Sequence, residues 1–388
     1  MKNKKKRICI FTGSRADYGI LSGLIKELQK NKSIYLDTIV AGSHLSKKHG
    51  YTIDEIKKDK VRVTKQISTL NRLNSSLGIS KSISKTQLEM ARFFDIRKPD
   101  LLVVLGDRFE TFAASSAALI ANIPIAHFHG GELTEGAFDN SMRHAITKFS
   151  SIHLTSLEEY SKRIIQMGED PSTVFCVGSL SLNNLKQMKL FSRSYINSLL
   201  NFKNNNDYIM VSFHPETIGN KSNQIFKNLL TSLGSLKKTN IIFTKANADP
   251  ESQFINLMID EFVQKNKNNS RSFISMGKKH YFSAMKYSLL LIGNSSSGII
   301  EAPSLNLPAI NIGTRQKGRV RSESVIDCKD DVKSISKTIN VVLDNRRKNM
   351  YKNLNNPYYK NQTIRKSIDV LFKNLKKINL QKKFYDQF

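Results

Sequence analysis

Apolar runs of strand length recur along the chain, and amphipathic stretches of helical length follow them. Residues 8–12 read as a buried strand, and the turn Gly13-Ser14-Arg15-Ala16-Asp17 opens a helix to about residue 30. A second strand spans 35–41. Helical periodicity marks 52–59 and 82–97, and Pro99 ends the latter because its ring disfavours helical backbone in the residue before it. Leu101–Leu105 is an uninterrupted apolar strand, followed by Gly106-Asp107 and an alanine-rich helix over 109–121. Ile125–Phe128, 152–154 and 174–176 are further strands, with helices over 140–150 and 157–167 between them. This alternation predicts a parallel sheet with helices on both faces. Strands that are apolar throughout fit it, since parallel strands are buried on both sides.

The polar stretch 201–207 interrupts the pattern, which then restarts. Strands are expected over 208–213, 241–244, 289–292 and Ala309–Ile312, and helices over 221–236, 251–265, from Ser297, over 331–345 and over 364–377. The expectation is an α/β chain of two Rossmann-like domains facing a cleft. The first covers 1–200 and the second 201–365, while a helix and basic tail over 366–388 can pack back on the first. A length of 388 residues suits two cores better than one.

The formal net charge of +29 raises the question of nucleic acid. Lysine and asparagine are scattered along the whole chain, only residues 373–383 approach a basic run, and no nucleic-acid-binding motif occurs. No nucleic-acid partner is expected, although a basic field attracts a pyrophosphate. Cys9, Cys176 and Cys328 are far apart without CxxC spacing, which points to free buried thiols rather than a disulfide or zinc site. The apolar runs are strand-sized, and the one after the basic start is too short for a signal-peptide core. The expectation is a cytoplasmic protein with no membrane contact.

The unusual polar residues fall just after expected strands, where open α/β sheets place ligands. Gly13-Ser14-Arg15 can offer backbone N–H groups and a guanidinium to an anion, or can simply cap a helix. Asp107 and Arg108 put both charge signs at a strand end, although an aspartate there can also be a plain cap. The densest titratable cluster runs from His127 through His129, Glu132, Glu135 and Asp139 to Arg143-His144. Carboxylates beside histidines supply an acid and a base. The HxH pair could instead hold a metal, but no third strong ligand is evident, so no metal is expected. Strand alternation would point His127 and His129 to one side, and Gly130-Gly131 would let backbone approach a ligand closely. Later in the chain, His214-Pro215-Glu216 and Asn247 follow strands. Gly293-Asn294-Ser295-Ser296-Ser297-Gly298 opens a helix whose N–H and O–H groups suit a diphosphate, with Glu301 one turn on placed to accept from ribose hydroxyls. The loop from Gly313 to Arg319, with Arg315 and Lys317, suits a phosphate or a closing lid.

At these residues the sequence resembles the UDP-N-acetylglucosamine 2-epimerases, specifically the hydrolysing branch that makes N-acetylmannosamine for sialic acids. The resemblance runs over 7–327. It rests on Thr12-Gly13-Ser14-Arg15-Ala16-Asp17-Tyr18, Gly106-Asp107-Arg108-Phe109-Glu110, His129-Gly130-Gly131-Glu132, Arg143-His144-Ala145-Ile146-Thr147-Lys148, His214-Pro215, Gly293-Asn294-Ser295-Ser296 with Glu301, and Gly313-Thr314-Arg315-Gln316. It implies a fold like the GT-B glycosyltransferases, with UDP held mainly by the C-terminal domain. Arg15, Arg108, His214, Asn247, Asn294, Ser295, Ser296, Glu301 and Arg315 would bind UDP, and Asp107, Glu132 and Asp139 would be the catalytic carboxylates. Relatives with an HxEGGE loop carry glutamate where this chain has His129, and a bacterial sialic-acid subgroup carries HxHGGE. Part of the acid–base work therefore shifts to Glu132 or His129. The implied mechanism removes the C2 proton as UDP leaves C1, then adds water across the resulting glycal. It needs no metal, nicotinamide or other cofactor. A homo-oligomer, dimer or tetramer, is expected. An alternative substrate is UDP-2,4-diacetamido-2,4,6-trideoxyglucose of the legionaminic acid route, which residues 44–50 and 130–137 suit at least as well. An alternative class is a GT-B glycosyltransferase, against which the N-terminal carboxylate cluster argues.

Overall fold

The computed structural model describes residues 5–69, 75–135, 137–216, 221–246 and 252–387. It contains two parallel sheets. The first is built from β1 (Lys6–Thr12), β2 (Ile34–Ala41), β3 (Lys65–Ile67), β4 (Leu101–Leu105), β5 (Ile125–Phe128), β6 (Ile152–Thr155) and β7 (Val174–Cys176), in the order β3-β2-β1-β4-β5-β6-β7. The second uses β8 (Tyr208–Ser212), β9 (Asn240–Thr244), β10 (Ser270–Phe273), β11 (Leu291–Gly293), β12 (Ala309–Ile312) and β13 (Val325–Cys328), in the order β10-β9-β8-β11-β12-β13. Every pairing is parallel. Both sheets are therefore wound outward from a central pair, β1/β4 in one and β8/β11 in the other. At each such reversal the chain leaves a crevice beyond the strand C-termini.

Burial explains the strands. All five residues of β4 are buried, and β1, β5 and β6 are buried along most or all of their length. Each fully buried leucine, isoleucine or valine contributes about 1.5–3 kcal/mol relative to exposure. Helix Arg15–Lys30 packs on this sheet through Tyr18, Leu21, Leu24, Ile25 and Leu28, the stripe that a 3.6-residue period produces. Ile8, Ile10, Leu101 and Val103 meet that stripe in one core cluster. The second sheet has its own core, with Ile209, Val211, Phe226, Ile241, Phe243, Ile292 and Ile310 at its centre.

The compact units divide differently from the sequence expectation. The first comprises Met1–Glu132, Phe138–Asn184 and Tyr358–Phe388, and the second Leu133–Ala137 and Leu185–Pro357. The expected boundary at 201 is thus corrected to 185. Residues before the polar stretch pack within the second unit: the Phe191 N–H donates to Ser283 Oγ, the Tyr287 hydroxyl donates to the Phe191 carbonyl, and Arg193 pairs with Asp207. The polar stretch is a surface excursion inside that unit. The C-terminal segment is anchored in the first unit by a hydrogen bond between Tyr160 and Tyr358 hydroxyls (2.7 Å) and by Ile364 and Leu371 in the core. No helix among the described residues is long and apolar enough to cross a membrane. The three cysteines are free thiols; Cys9 is buried, whereas Cys176 and Cys328 are only partly so.

Candidate active site

In the first unit, the turn after β1 is closed on itself. Ser14 caps helix Arg15–Lys30 by accepting from the Asp17 N–H (3.3 Å), and Asp17 accepts in return from the Gly13 N–H (3.1 Å). This reciprocal cap satisfies two donors that an anion would otherwise take. Arg15 stands half-buried at the first helical position. Behind the turn, Glu110 is wholly buried, with its Oε2 accepting from Arg108 Nε at 3.2 Å. Burial raises the proton affinity of both Glu110 and Asp17, with Arg108 opposing the shift in each.

Asp107 follows β4 but does not cap the next helix; Arg108 occupies the cap position and makes no side-chain capping bond. Asp107 instead pairs closely with Arg143, which is carried one turn into helix Asp139–Phe149. Arg143 is buried, donates to the His129 carbonyl at 2.8 Å, and lies 4.0 Å from Glu132 Oε2. Glu132 Oε1 accepts from Ser156 Oγ at 2.9 Å and lies 2.7 Å from His129 Nδ1. Asp107, His129 and Glu132 are therefore gathered about one guanidinium. Asp139 is half-buried at the start of the helix that supplies it.

Two sequence expectations for this loop are corrected. His127 and His129 engage different partners. His127 lies in β5, wholly buried, with Nε2 on the Gly106 carbonyl (2.8 Å) and Nδ1 near Thr147 Oγ1 (3.3 Å). Burial pushes its pKa down to about 3, so it is a neutral structural imidazole. His129 lies past the strand end with φ +62°, which breaks the alternation. The diglycine serves internal packing: a Cβ on Gly131, at φ +74°, would sit 2.4 Å from the Tyr160 carbonyl oxygen. Among the described residues, no group of three histidine, cysteine or acidic side chains is arranged to hold a metal ion.

In the second unit, Asn294 ties the two central strand ends together. Its Oδ1 accepts from the His214 N–H and its Nδ2 donates to the His214 carbonyl, both at 2.7 Å. The Asn294 carbonyl accepts from Gln316 Nε2 (2.8 Å) and Arg315 NH1 (3.3 Å). Buried Glu216 anchors the cationic loop by accepting from the Thr314 and Arg315 N–H groups at 2.8 and 3.1 Å. Gly293 is obligatory here, since at φ +141° a Cβ would meet the Ser212 carbonyl oxygen at 2.0 Å. Ser295 caps helix Ser296–Ile300 through the Ser297 N–H (3.3 Å), and Ser295 and Ser296 are half-buried. The helix has only five residues, so Glu301 stands at its C-terminal cap rather than within it. Arg319 Nε donates to the Leu133 carbonyl at 2.9 Å and Lys317 pairs with Glu135, which fixes segment Leu133–Ala137 in this unit. Asn247 lies outside the described residues.

The sequence gives no sign of Ser156, and it shows Gln316 and Glu216 only within motifs, without a role. Ser156 Oγ reaches Glu132 across 24 positions, and Glu216 reaches Thr314 across 98. No local spacing could have signalled either pair.

A family profile described as UDP-N-acetylglucosamine 2-epimerase matches residues 26–372. The chain is 40% identical over 324 residues to the GDP/UDP-N,N'-diacetylbacillosamine 2-epimerase (hydrolyzing) of Campylobacter jejuni, covering 83% of this chain and 84% of that one. It is 39% identical to the polysialic acid biosynthesis protein P7 of Escherichia coli, covering 98% and 97%. The crystal structure of UDP-GlcNAc 2-epimerase from Neisseria meningitidis bound to UDP-GlcNAc superposes with a TM-score of 0.78 at 18% identity, covering 95% of this chain and 100% of that one. That likeness carries the GT-B-like fold. Two doubly wound sheets with their polar residues at both central strand pairs, together with these matches, show that the chain belongs to the UDP-N-acetylglucosamine 2-epimerase family and is an enzyme of that kind.

Proposed function

We propose that the chain converts UDP-N-acetylglucosamine and water to N-acetylmannosamine and UDP, by elimination to a glycal and rehydration. The observation that carries this reading is the grouping of Asp107, Glu132 and His129 about Arg143, which places two carboxylates and an imidazole at one end of a parallel sheet. Elimination needs a base at C2. Asp107 is held by the Arg143 guanidinium and keeps about a fifth of its side-chain surface open, so a substrate can reach it. As Asp107 takes the C2 proton, the C2–H electron pair becomes the C1=C2 bond, and the C1–O pair leaves with UDP. Glu132, Asp139 and His129 serve the rehydration. We assign Arg15, Arg108, His214, Ser295, Ser296, Glu301 and Arg315 to UDP, with Asn294 holding the His214 backbone in place and Asn247 as a further contact. Individual N–H and O–H donors at Ser295 and Ser296, rather than the dipole of so short a helix, would meet the diphosphate. The work is assigned to the cytoplasm, in a homo-oligomer.

A second reading replaces the sugar by its 2,4-diacetamido-2,4,6-trideoxy counterpart. It is supported by the name of the Campylobacter jejuni relative, while the polysialic acid name of the Escherichia coli relative supports the first. Incubation with each UDP-sugar in D2O, read by NMR without any acceptor, tests both. The expected result is UDP release with deuterium at C2 of free N-acetylmannosamine. Accumulation of UDP-N-acetylmannosamine would exclude hydrolysis, and turnover of the diacetamido sugar alone would establish the second reading. Asp107→Asn should keep UDP binding and lose UDP release; retained release would remove Asp107 as the C2 base.

A further inference from the structure

We infer that Glu132 and Ser156 are positioning residues for His129, whose Nε2 is the atom that exchanges protons during rehydration. The inference rests on the elimination–rehydration reading and deepens it.

The geometry around His129 is costly and specific. β5 ends at Phe128, and His129 then adopts φ +62°, a left-handed backbone that a residue with a Cβ rarely takes. Two hydrogen bonds hold it there: its N–H donates to the Leu154 carbonyl at 3.1 Å, and Arg143 donates to its carbonyl at 2.8 Å. The turn carries Nδ1 to 2.7 Å from Glu132 Oε1. The same oxygen accepts from Ser156 Oγ, so Ser156 fixes which way the carboxylate faces. A carboxylate on Nδ1 selects the imidazole tautomer, sets the ring plane, and compensates the ring's charge whenever Nε2 carries a proton.

The other ring nitrogen is left over. Nε2 of His129 is buried and has no hydrogen-bond partner among the described residues. Two residues earlier, His127 has both nitrogens engaged. A buried polar atom without a partner destabilises the fold, and backbone strain beside it adds to the cost. Both are explained if a substrate group completes the set. In rehydration Nε2 delivers a proton to C2 and recovers one from the water whose oxygen bonds C1. The imidazole begins and ends the step unchanged. The proton left on Asp107 by the elimination passes to solvent and balances the additional negative charge carried by free UDP.

The test uses His129→Gly and His129→Asn, because glycine and asparagine both tolerate the left-handed backbone and should preserve the fold. Each should lower kcat by about 10²–10⁴-fold, the usual range for a lost general acid–base, with KM little changed. Added imidazole should restore turnover in His129→Gly and fail to do so in His129→Gly combined with Glu132→Gln. Glu132→Gln alone should lower kcat, yet the pair Glu132→Gln/His129→Asn should be no slower than His129→Asn. Ser156→Ala repeats this logic with a milder change should Glu132→Gln melt early. Losses that multiply in the double variants, or a rescue indifferent to Glu132, would show that Glu132 acts on substrate directly and would overturn the inference alone. Absence of deuterium at C2 in the unaltered enzyme would instead remove the proposed function, and this inference with it.

Discussion

Arg143 is buried among three groups that its guanidinium serves: the Asp107 carboxylate, the His129 carbonyl and, at longer range, Glu132. Removing one partner of a buried pair leaves the other uncompensated, and such losses typically cost about 3–5 kcal/mol. Arg143→Ala should therefore lower stability by roughly that amount, discounted for the part of Asp107 that water reaches, and should also depress UDP release. Arg143→Lys should recover part of the stability and little of the rate, because one ammonium cannot span the same set. Urea unfolding alongside the UDP-release assay measures both, and a fully active Arg143→Ala variant would sink the argument. Nearby histidines carry a second prediction. Burial pushes His44 and His127 down to about 3, below the ordinary value near 6.5. Groups depressed on folding contribute stability that is complete above their unfolded pKa and is lost as pH falls toward the folded one. The unfolding free energy should thus decline from about pH 6.5 downward, by about 1.4 kcal/mol per pH unit for each such histidine. A urea midpoint that is flat between pH 7 and pH 5 would contradict it. At this scale the sequence disclosed residue types better than their partners. The cluster from His127 to His144 was visible as a density of titratable side chains. Which histidine is structural was not, because that depends on where β5 stops.

Elements were legible where burial alone decides them. β4 is apolar throughout, β5 and β12 are apolar but for His127 and Asn311, and all three are wholly buried, as parallel strands covered on both faces are. The edge strands β3, β10 and β13 escaped notice. Their sequences Lys-Gln-Ile, Ser-Arg-Ser-Phe and Val-Ile-Asp-Cys are short and half-exposed, so neither an apolar run nor clean alternation marks them. Helices Leu180–Gln187, Arg193–Leu200 and Lys278–Tyr287 were missed as well. Each has ten residues or fewer, close to the shortest length at which periodicity can be read. The segment after helix Thr363–Asn374 gave no signal beyond charge, yet it is specifically seated. Lys382 Nζ donates to the Lys148 and Ser150 carbonyls and pairs with Glu169 at 2.6 Å, and Glu169 also holds Lys148 and His153. Burial alone would raise the Glu169 pKa, but His153, Lys148 and Lys382 overrule it and hold it near 2. Lys382→Ala should cost about 1–3 kcal/mol, the range for lost charge-assisted bonds to the buried Glu169 and to Ser150, while Lys148 and His153 keep Glu169 from being stranded. Because the folded carboxylate binds its proton so weakly, its contribution is present above about pH 4.5 and is lost as pH falls toward 2. The variant's deficit should therefore shrink on acidification. A deficit that persists unchanged at pH 3 would place the strap's contribution elsewhere.

At the scale of the whole molecule, 61 lysines and arginines stand against 32 acidic residues, and the net charge of +29 is the property least tied to any one element. The lysines and arginines are scattered along the chain, only residues 373–383 approach a basic run, and the family to which the chain belongs is one of UDP-sugar chemistry. A diffuse positive field still acts on an anionic ligand before any contact is made, raising its local concentration and its rate of encounter. That action is long-range and so is screened by salt, since the Debye length falls from about 30 Å at 0.01 M to about 3 Å at 1 M. Contacts made after docking, at hydrogen-bond distance, are screened much less. The two contributions therefore separate by ionic strength. Raising NaCl from about 10 mM to about 0.5 M, across most of that screening range, should lower kcat/KM for the UDP-sugar several-fold while kcat changes little. The association rate for UDP should fall in parallel, and uridine, which lacks the diphosphate, should bind with a salt-independent rate. If uridine and UDP respond alike, the dependence reflects the protein's own stability or hydration rather than its field. If neither responds, the scattered lysines serve solubility alone, and recognition of the diphosphate falls wholly to the close contacts that Arg15, Arg108 and Arg315 would make.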